Sequence, residues 1–160
     1  YLESQKKGLR EAISAGNSAR STAESVLSSL DSAEGWGTWD LLGGGLLADM
    51  AKHSHLDEAQ GAIERLQSQL RRFKTELADV TIHADMQVNV DGFLRFADYF
   101  FDGLFVDWAV GDKISQSMNS VSSTKSQISR TLDKLNDMEK VADQSIAGLK
   151  AQLDALIVNA

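Results

Sequence analysis

The sequence contains no cysteine and no proline. Without cysteine, neither a disulfide framework nor a thiolate zinc site can form. Proline breaks helix interiors and punctuates loops, so its absence is typical of a chain that consists mostly of uninterrupted helix. The sequence also has no run of about 18 consecutive apolar residues, so it predicts no transmembrane helix.

Positive charge is scarce as well. The chain has 16 Lys and Arg residues against 23 Asp and Glu residues, which gives a formal net charge of −7. A nucleic-acid partner requires a basic face, and the basic pairs Lys6-Lys7 and Arg71-Arg72 are too sparse to supply one. Attraction to anionic membrane surfaces is disfavoured for the same reason. The composition does not fix the compartment, although we favour the cytoplasm.

The length and apolar content are those of one folded domain. A chain of 160 residues with 42 % hydrophobic residues can bury a real core. We therefore predict a single helical domain over residues 1–160. The chain opens at Tyr1 with no initiator Met and no signal-like apolar run, so we expect it to be part of a longer protein.

The first segment has apolar or small residues at alternating spacings of three and four, which is the pattern of a coiled-coil seam. We predict a helix over residues 1–34 that ends at Glu34-Gly35, because glycine is favoured just past a helix end. Small residues dominate the middle of this seam, so a partner helix could approach closely there. The seam consists of Leu2, Leu9, Ala12, Gly16, Ala19, Ala23, Val26, Leu30 and Ala33.

A Gly/Trp loop is predicted next, over residues 35–45 (GWGTWDLLGGG), because five glycines and two tryptophans in this span disfavour regular helix. A second run with spacings of three and four predicts a helix over 46–83. Residues 84–91 are predicted to form a connector, which ends at Asp91 just before Gly92.

Two further helices are predicted in the second half of the chain. Aromatic residues recur at helical spacing over 92–110 and predict a short helix with a wide aromatic face. The last run, over 113–158, is the longest and would span about 65 Å. It reaches beyond every other helix, so its far end needs partners. Lys125 and Glu139 occupy seam positions in this run, where polar residues either fix register or extend their charged ends to the bundle edge.

These segments predict an all-α fold, an antiparallel helical bundle or coiled coil of long heptad-patterned helices. Short connectors favour four helices in up-down-up-down order, which places Tyr1 and Ala160 at the same end. The alternative is three long helices with residues 84–112 folded as a tip against their side.

The most distinctive candidate site is a partner-binding surface formed by the Gly/Trp loop and the aromatic helix. Exposed tryptophans often anchor protein interfaces, although Trp36 and Trp39 could also plug the bundle end. The triple glycine lacks the lysine and the preceding strand of a phosphate loop, and no serine lies in a nucleophile elbow, so we predict neither an enzyme nor a cofactor site. The predicted surface comprises Trp36, Trp39, Leu41, Leu42, Phe105 and Trp108.

Asp49, His53 and Asp57 form a weaker candidate site, for a metal ion. Their spacing of four places them along one helix face, and carboxylate with imidazole suits a transition metal. The simpler interpretation is a solvated face with helix-stabilising His–Asp pairs.

The sequence therefore predicts a non-enzymatic coiled-coil interaction or scaffolding module that binds a protein partner or itself. Two alternatives remain. One is a membrane-interacting, toxin-like helical protein that uses residues 41–50 and 100–110, which are short and interrupted apolar segments. The other is a metal-binding helical bundle.

Overall fold

The described part of the chain consists entirely of helices that pack against one another, which confirms the all-α prediction. The computed structural model describes the backbone of residues 1–40, 45–83 and 114–158, and the side chains of residues 1–32, 57–58, 61–80 and 118–158. Helix α1 spans Leu2–Asp40, α2 spans Gly45–His83 and α3 spans Ile114–Val158.

The predicted end of the first helix is wrong. Instead of stopping at Glu34-Gly35, α1 continues through the first half of the predicted Gly/Trp loop as far as Asp40. Glycine in a helix interior costs roughly 0.5–1 kcal/mol relative to alanine but does not prevent the backbone hydrogen bonds, as proline would. Two glycines in this stretch therefore weaken the helix without ending it. The second and last helices begin one residue from the predicted 46 and 113.

Both neighbours of α1 run antiparallel to it. The Val80 side chain, near the end of α2, lies beside Gly8 near the start of α1. In the same way, Lys125 in the first half of α3 pairs with Glu24 in the second half of α1. Helices α2 and α3 are therefore parallel to each other. The end of α2 and the beginning of α3 lie at opposite ends of the bundle.

Small residues on α1 allow both neighbours to approach it closely. Its buried face is rich in alanine, whereas α2 and α3 contribute large side chains such as Phe73 and Leu132. Gly16 shows the consequence, because a Cβ atom built there would lie 2.8 Å from both Leu132 Cδ2 and Phe73 Cζ. Helix α1 packs against both α2 and α3, while no close backbone approach joins α2 to α3 in the described ranges.

The core is almost wholly apolar. Among the described side chains, the buried polar residues are Thr124 and Thr131, and each donates its hydroxyl to the backbone carbonyl four residues earlier. These hydrogen bonds within the helix pair both buried hydroxyl groups, so neither threonine incurs the cost of an unpaired buried polar group. The core therefore holds no buried charge among its described members.

The predicted aromatic helix over 92–110 and the connector over 84–91 lie outside the described residues, as does Ala160. The choice between four helices and three helices with a tip thus stays a prediction. The sequence predicted that the two chain ends lie at the same end of the bundle. In the described residues, Lys150 Nζ near the end of α3 lies 4.0 Å from Glu3 Oε1 near the start of α1.

Candidate functional site

The structure describes the backbone at two of the predicted partner-binding positions. Trp36 and Trp39 lie in the last two turns of α1 rather than in a loop. A spacing of three in a helix places these positions on one face. The side chains of both residues lie outside the described set. The remaining members of the predicted surface, Leu41, Leu42, Phe105 and Trp108, also lie outside it.

The candidate metal residues lie on α2. The helix is continuous through positions 49, 53 and 57, so the spacing of four does place them along one face. Asp57 is exposed, and the side chains of Asp49 and His53 lie outside the described set. No group of three or more His, Asp or Glu residues that could hold a metal ion occurs among the described side chains. A metal site on this trio thus stays a prediction.

Charged side chains of the described residues form ion pairs between α1 and α3. Arg10 Nε donates to Glu139 Oε1 at 2.6 Å, and this hydrogen bond raises the pKa of the Arg10 guanidinium above its usual value. Lys125 Nζ lies 3.2 Å from Glu24 Oε1. The charged ends of both polar seam residues of α3 reach the bundle edge, which is one of the two alternatives given by the sequence. Their pairing with opposite charges on α1 was not predicted.

The same row of ion pairs discriminates between alternative registers of α1 and α3. Besides the pairs above, Lys6 pairs with Asp143, and Glu3 pairs with Lys150. Sliding α3 by one heptad in one direction would place Glu3 opposite Asp143. Sliding it in the other direction would place Lys6 opposite Lys150. Both shifts bring like charges together, so the charge order favours the observed register.

A cavity of about 280 Å³ lies where the start of α1 meets α2 and α3. Its lining includes Gly8 and Glu11 from α1, Asp79 from α2 and Met138 from α3. A Cβ atom added at Gly8 would have one neighbour within 4 Å, Val80 Cγ2 at 3.8 Å. The volume is slightly below the range of typical small-molecule sites. We interpret the cavity as space left by glycine in the helix interface.

Exposed large apolar side chains gather at one end of α3. Seven such residues occur among the described side chains, and five of them lie in the last ten described residues of this helix. Contiguous apolar surface at one place marks an interaction site more often than scattered apolar residues do. These five residues are Leu149, Leu153, Leu156, Ile157 and Val158. Leu149, Leu153 and Leu156 share one face of the helix, and we call these three the C-terminal ridge.

Comparison of the chain with known protein families, with curated proteins and with solved structures finds no match in any of the three. None of the described helices is long and apolar enough to cross a membrane.

Proposed function

We propose that this chain is a non-enzymatic helical interaction or scaffolding module, organised as a coiled coil, that presents a tryptophan-bearing end to a protein partner. The observation that carries the proposal is the continuity of α1 from the packed core to Asp40. Helix α1 packs against both α2 and α3. Its C-terminal end, which carries the tryptophans, is therefore a continuation of the helix that has the most packing contacts. A rigid helix presents side chains to a partner at low entropic cost.

The charges of the bundle support a structural role for its ionisable groups. Across the α1–α3 interface, Lys6, Arg10 and Lys125 each pair with an acid of the other helix, and the order of these charges favours the observed register. A catalytic group, in contrast, generally needs an acid or base held apart from such pairing in a cleft. With a net charge of −7, we propose a protein partner rather than a nucleic acid.

Replacing both tryptophans in a Trp36→Ala/Trp39→Ala variant should weaken partner binding at least tenfold, because a buried tryptophan at an interface typically contributes 2 kcal/mol or more. A partner would first be captured from a lysate with the intact chain, then purified and titrated by calorimetry. Thr38→Ala, between the two positions, is the matched control and should bind as the intact chain does. Circular dichroism should show unchanged helix content in both variants.

Unchanged affinity in the double variant would contradict the assignment of the binding surface. Stoichiometric metal in the purified chain, measured by elemental analysis, would instead favour a metal site on Asp49, His53 and Asp57. Release of dye from liposomes would favour the membrane-interacting alternative.

A further inference from the structure

Charge is concentrated at one end of the α1–α3 interface. Three ion pairs join residues 3–10 of α1 to residues 139–150 of α3, whereas the pair between Lys125 and Glu24 lies in the other half of the interface. We call the residues of these three pairs the terminal charge cluster. Its members are Glu3, Lys6 and Arg10 of α1, which pair with Lys150, Asp143 and Glu139 of α3, respectively.

Apolar packing is thin at the same end. Leu9 and Ala142 are buried there, but Met138 and Ile146 are only half-buried. The cavity of about 280 Å³ also lies at this end, beside Gly8. Hydrophobic burial therefore stabilises the centre of the α1–α3 interface more than this end. The central part of α3, in contrast, contributes four large apolar side chains that are almost completely buried: Val121, Ile128, Leu132 and Leu135.

Helix α2 gives this end little further support. Val80 of α2 lies beside Gly8 of α1, and α2 ends three residues later, at His83. Three residues of helix extend about 4.5 Å. Because α2 runs antiparallel to α1, the pair between Glu3 and Lys150 lies past the end of α2. In the described part of the chain, the outermost level of the bundle thus consists of α1 and α3 alone.

We propose that the terminal charge cluster is a salt-sensitive conformational switch. At low ionic strength it holds the first turns of α1 on α3, and at high ionic strength this end of the bundle opens while the centre stays closed. The side chains of the cluster are accessible to dissolved ions, with exposed fractions from 19 % for Lys6 to 72 % for Lys150. Salt therefore screens their attraction, and local opening follows where few buried apolar contacts oppose it.

Opening at this end lengthens the apolar surface of α3. Ala142 precedes Leu149 of the C-terminal ridge by one heptad, so both lie on the same face of the helix. Ala142 is buried in the closed bundle, whereas Leu149 is already exposed. The terminal charge cluster thus determines how much of this face is accessible. The switch goes beyond the function proposed above and does not rest on it, because it lies at the opposite end of α1 from Trp36 and Trp39.

The expected size of the effect follows from the number of pairs. An exposed ion pair typically changes an equilibrium constant by a factor of about 1.5 to 5. Three pairs together should therefore change the equilibrium between the closed and open states on the order of tenfold. The screening length falls from about 30 Å at 0.01 M salt to about 3 Å at 1 M, so these two concentrations compare the intact and the screened cluster.

Hydrogen exchange of the 160-residue chain in 0.01 M and 1 M NaCl, followed by mass spectrometry, tests the proposal. Backbone amides of residues 6–10 and 139–147 should exchange about tenfold faster in 1 M NaCl. Amides of residues 124–135, in the centre of α3, should change less than twofold and serve as the internal control. An equal change along the whole of α3, or no change at residues 139–147, would overturn the proposal.

Charge reversal at one pair tests the cause of the opening. Lys6→Glu places a carboxylate beside Asp143, so residues 139–147 should exchange at least threefold faster in 0.01 M NaCl than in the intact chain. Adding Asp143→Lys restores an opposite-charge pair and should restore slow exchange. Lys7→Glu is the matched control, because it makes the same change in net charge but Lys7 pairs with Glu11 within α1. Exchange in Lys7→Glu as fast as in Lys6→Glu, or no recovery in the double variant, would contradict a role for the pairing.

The result is independent of partner binding at the other end of the bundle. Trp36→Ala/Trp39→Ala should retain the same salt dependence at residues 139–147, whatever its affinity for a partner. Loss of the salt dependence in the tryptophan variant would overturn the assignment of the switch to the terminal charge cluster. The salt comparison on the intact chain needs no substitution, so it decides the proposal even if a charge variant unfolds.

Discussion

Replacing Phe73 with alanine should reduce the free energy of unfolding by about 3–5 kcal/mol, the usual cost of deleting a buried aromatic side chain. The Phe73 side chain is completely buried. The edge of its ring lies against Gly16 of α1. Because glycine has no side chain, nothing on α1 can move to fill the cavity that the Phe73→Ala change would leave. A small domain has only about 5–15 kcal/mol of stability in total, so the variant should be close to unfolding at moderate temperature.

Urea denaturation followed by circular dichroism at 222 nm measures this loss. Ser68→Ala is the control on the same helix, because Ser68 is exposed and its replacement should change stability by less than about 0.5 kcal/mol. A Phe73→Ala variant as stable as Ser68→Ala would show that α2 does not pack on α1 as described.

Gly16→Ala should destabilise the protein, although alanine is the better helix former. The helix preference favours alanine by roughly 0.5–1 kcal/mol. Against this, the added methyl group would lie 2.8 Å from Leu132 on one side and 2.8 Å from Phe73 on the other. Overpacking of a filled core typically costs about 1–3 kcal/mol, so the net loss should be about 1–2 kcal/mol.

Two other glycines provide matched controls, at which the change to alanine should raise stability instead of lowering it. A Cβ atom at Gly148 would have no neighbour within 4 Å, and one at Gly8 would meet only Val80 at 3.8 Å. Both alanine variants should therefore gain up to about 1 kcal/mol. Adding Phe73→Leu to Gly16→Ala should restore part of the loss, because it makes room beside the new methyl group. Stabilisation by Gly16→Ala equal to that by Gly148→Ala would contradict the close approach of the three helices.

The long helices of this chain could be predicted from the sequence because their signals are local and repeated. Apolar residues at spacings of three and four, together with the absence of proline, predicted α2 and α3 to within one residue at each described boundary. The small residues on the first segment also predicted close helix approach, which the contacts of Gly16 display. These features depend on residues within a few turns of one another.

The features that were not predicted depend on distant parts of the chain. Glycine at position 35 favours a helix end only modestly, so α1 could continue to Asp40 against that preference. The pairing of Lys125 with Glu24 joins residues about a hundred positions apart, and the sequence pattern marked Lys125 only as a polar seam residue. Its opposite-charge partner on α1 could have been sought once an antiparallel arrangement was assumed.

Distance measurements between spin labels test the central claim, that α3 runs antiparallel to α1 in the described register, most directly. Cysteines introduced at Ser21, Ser68, Ser126 and Ser145 are all at exposed positions of the three helices. The structure predicts that the label at 21 lies level with those at 68 and 126. The label at 145 should be displaced from it by about 28 Å along the bundle. A shorter distance from 21 to 145 than from 21 to 126 would contradict the account.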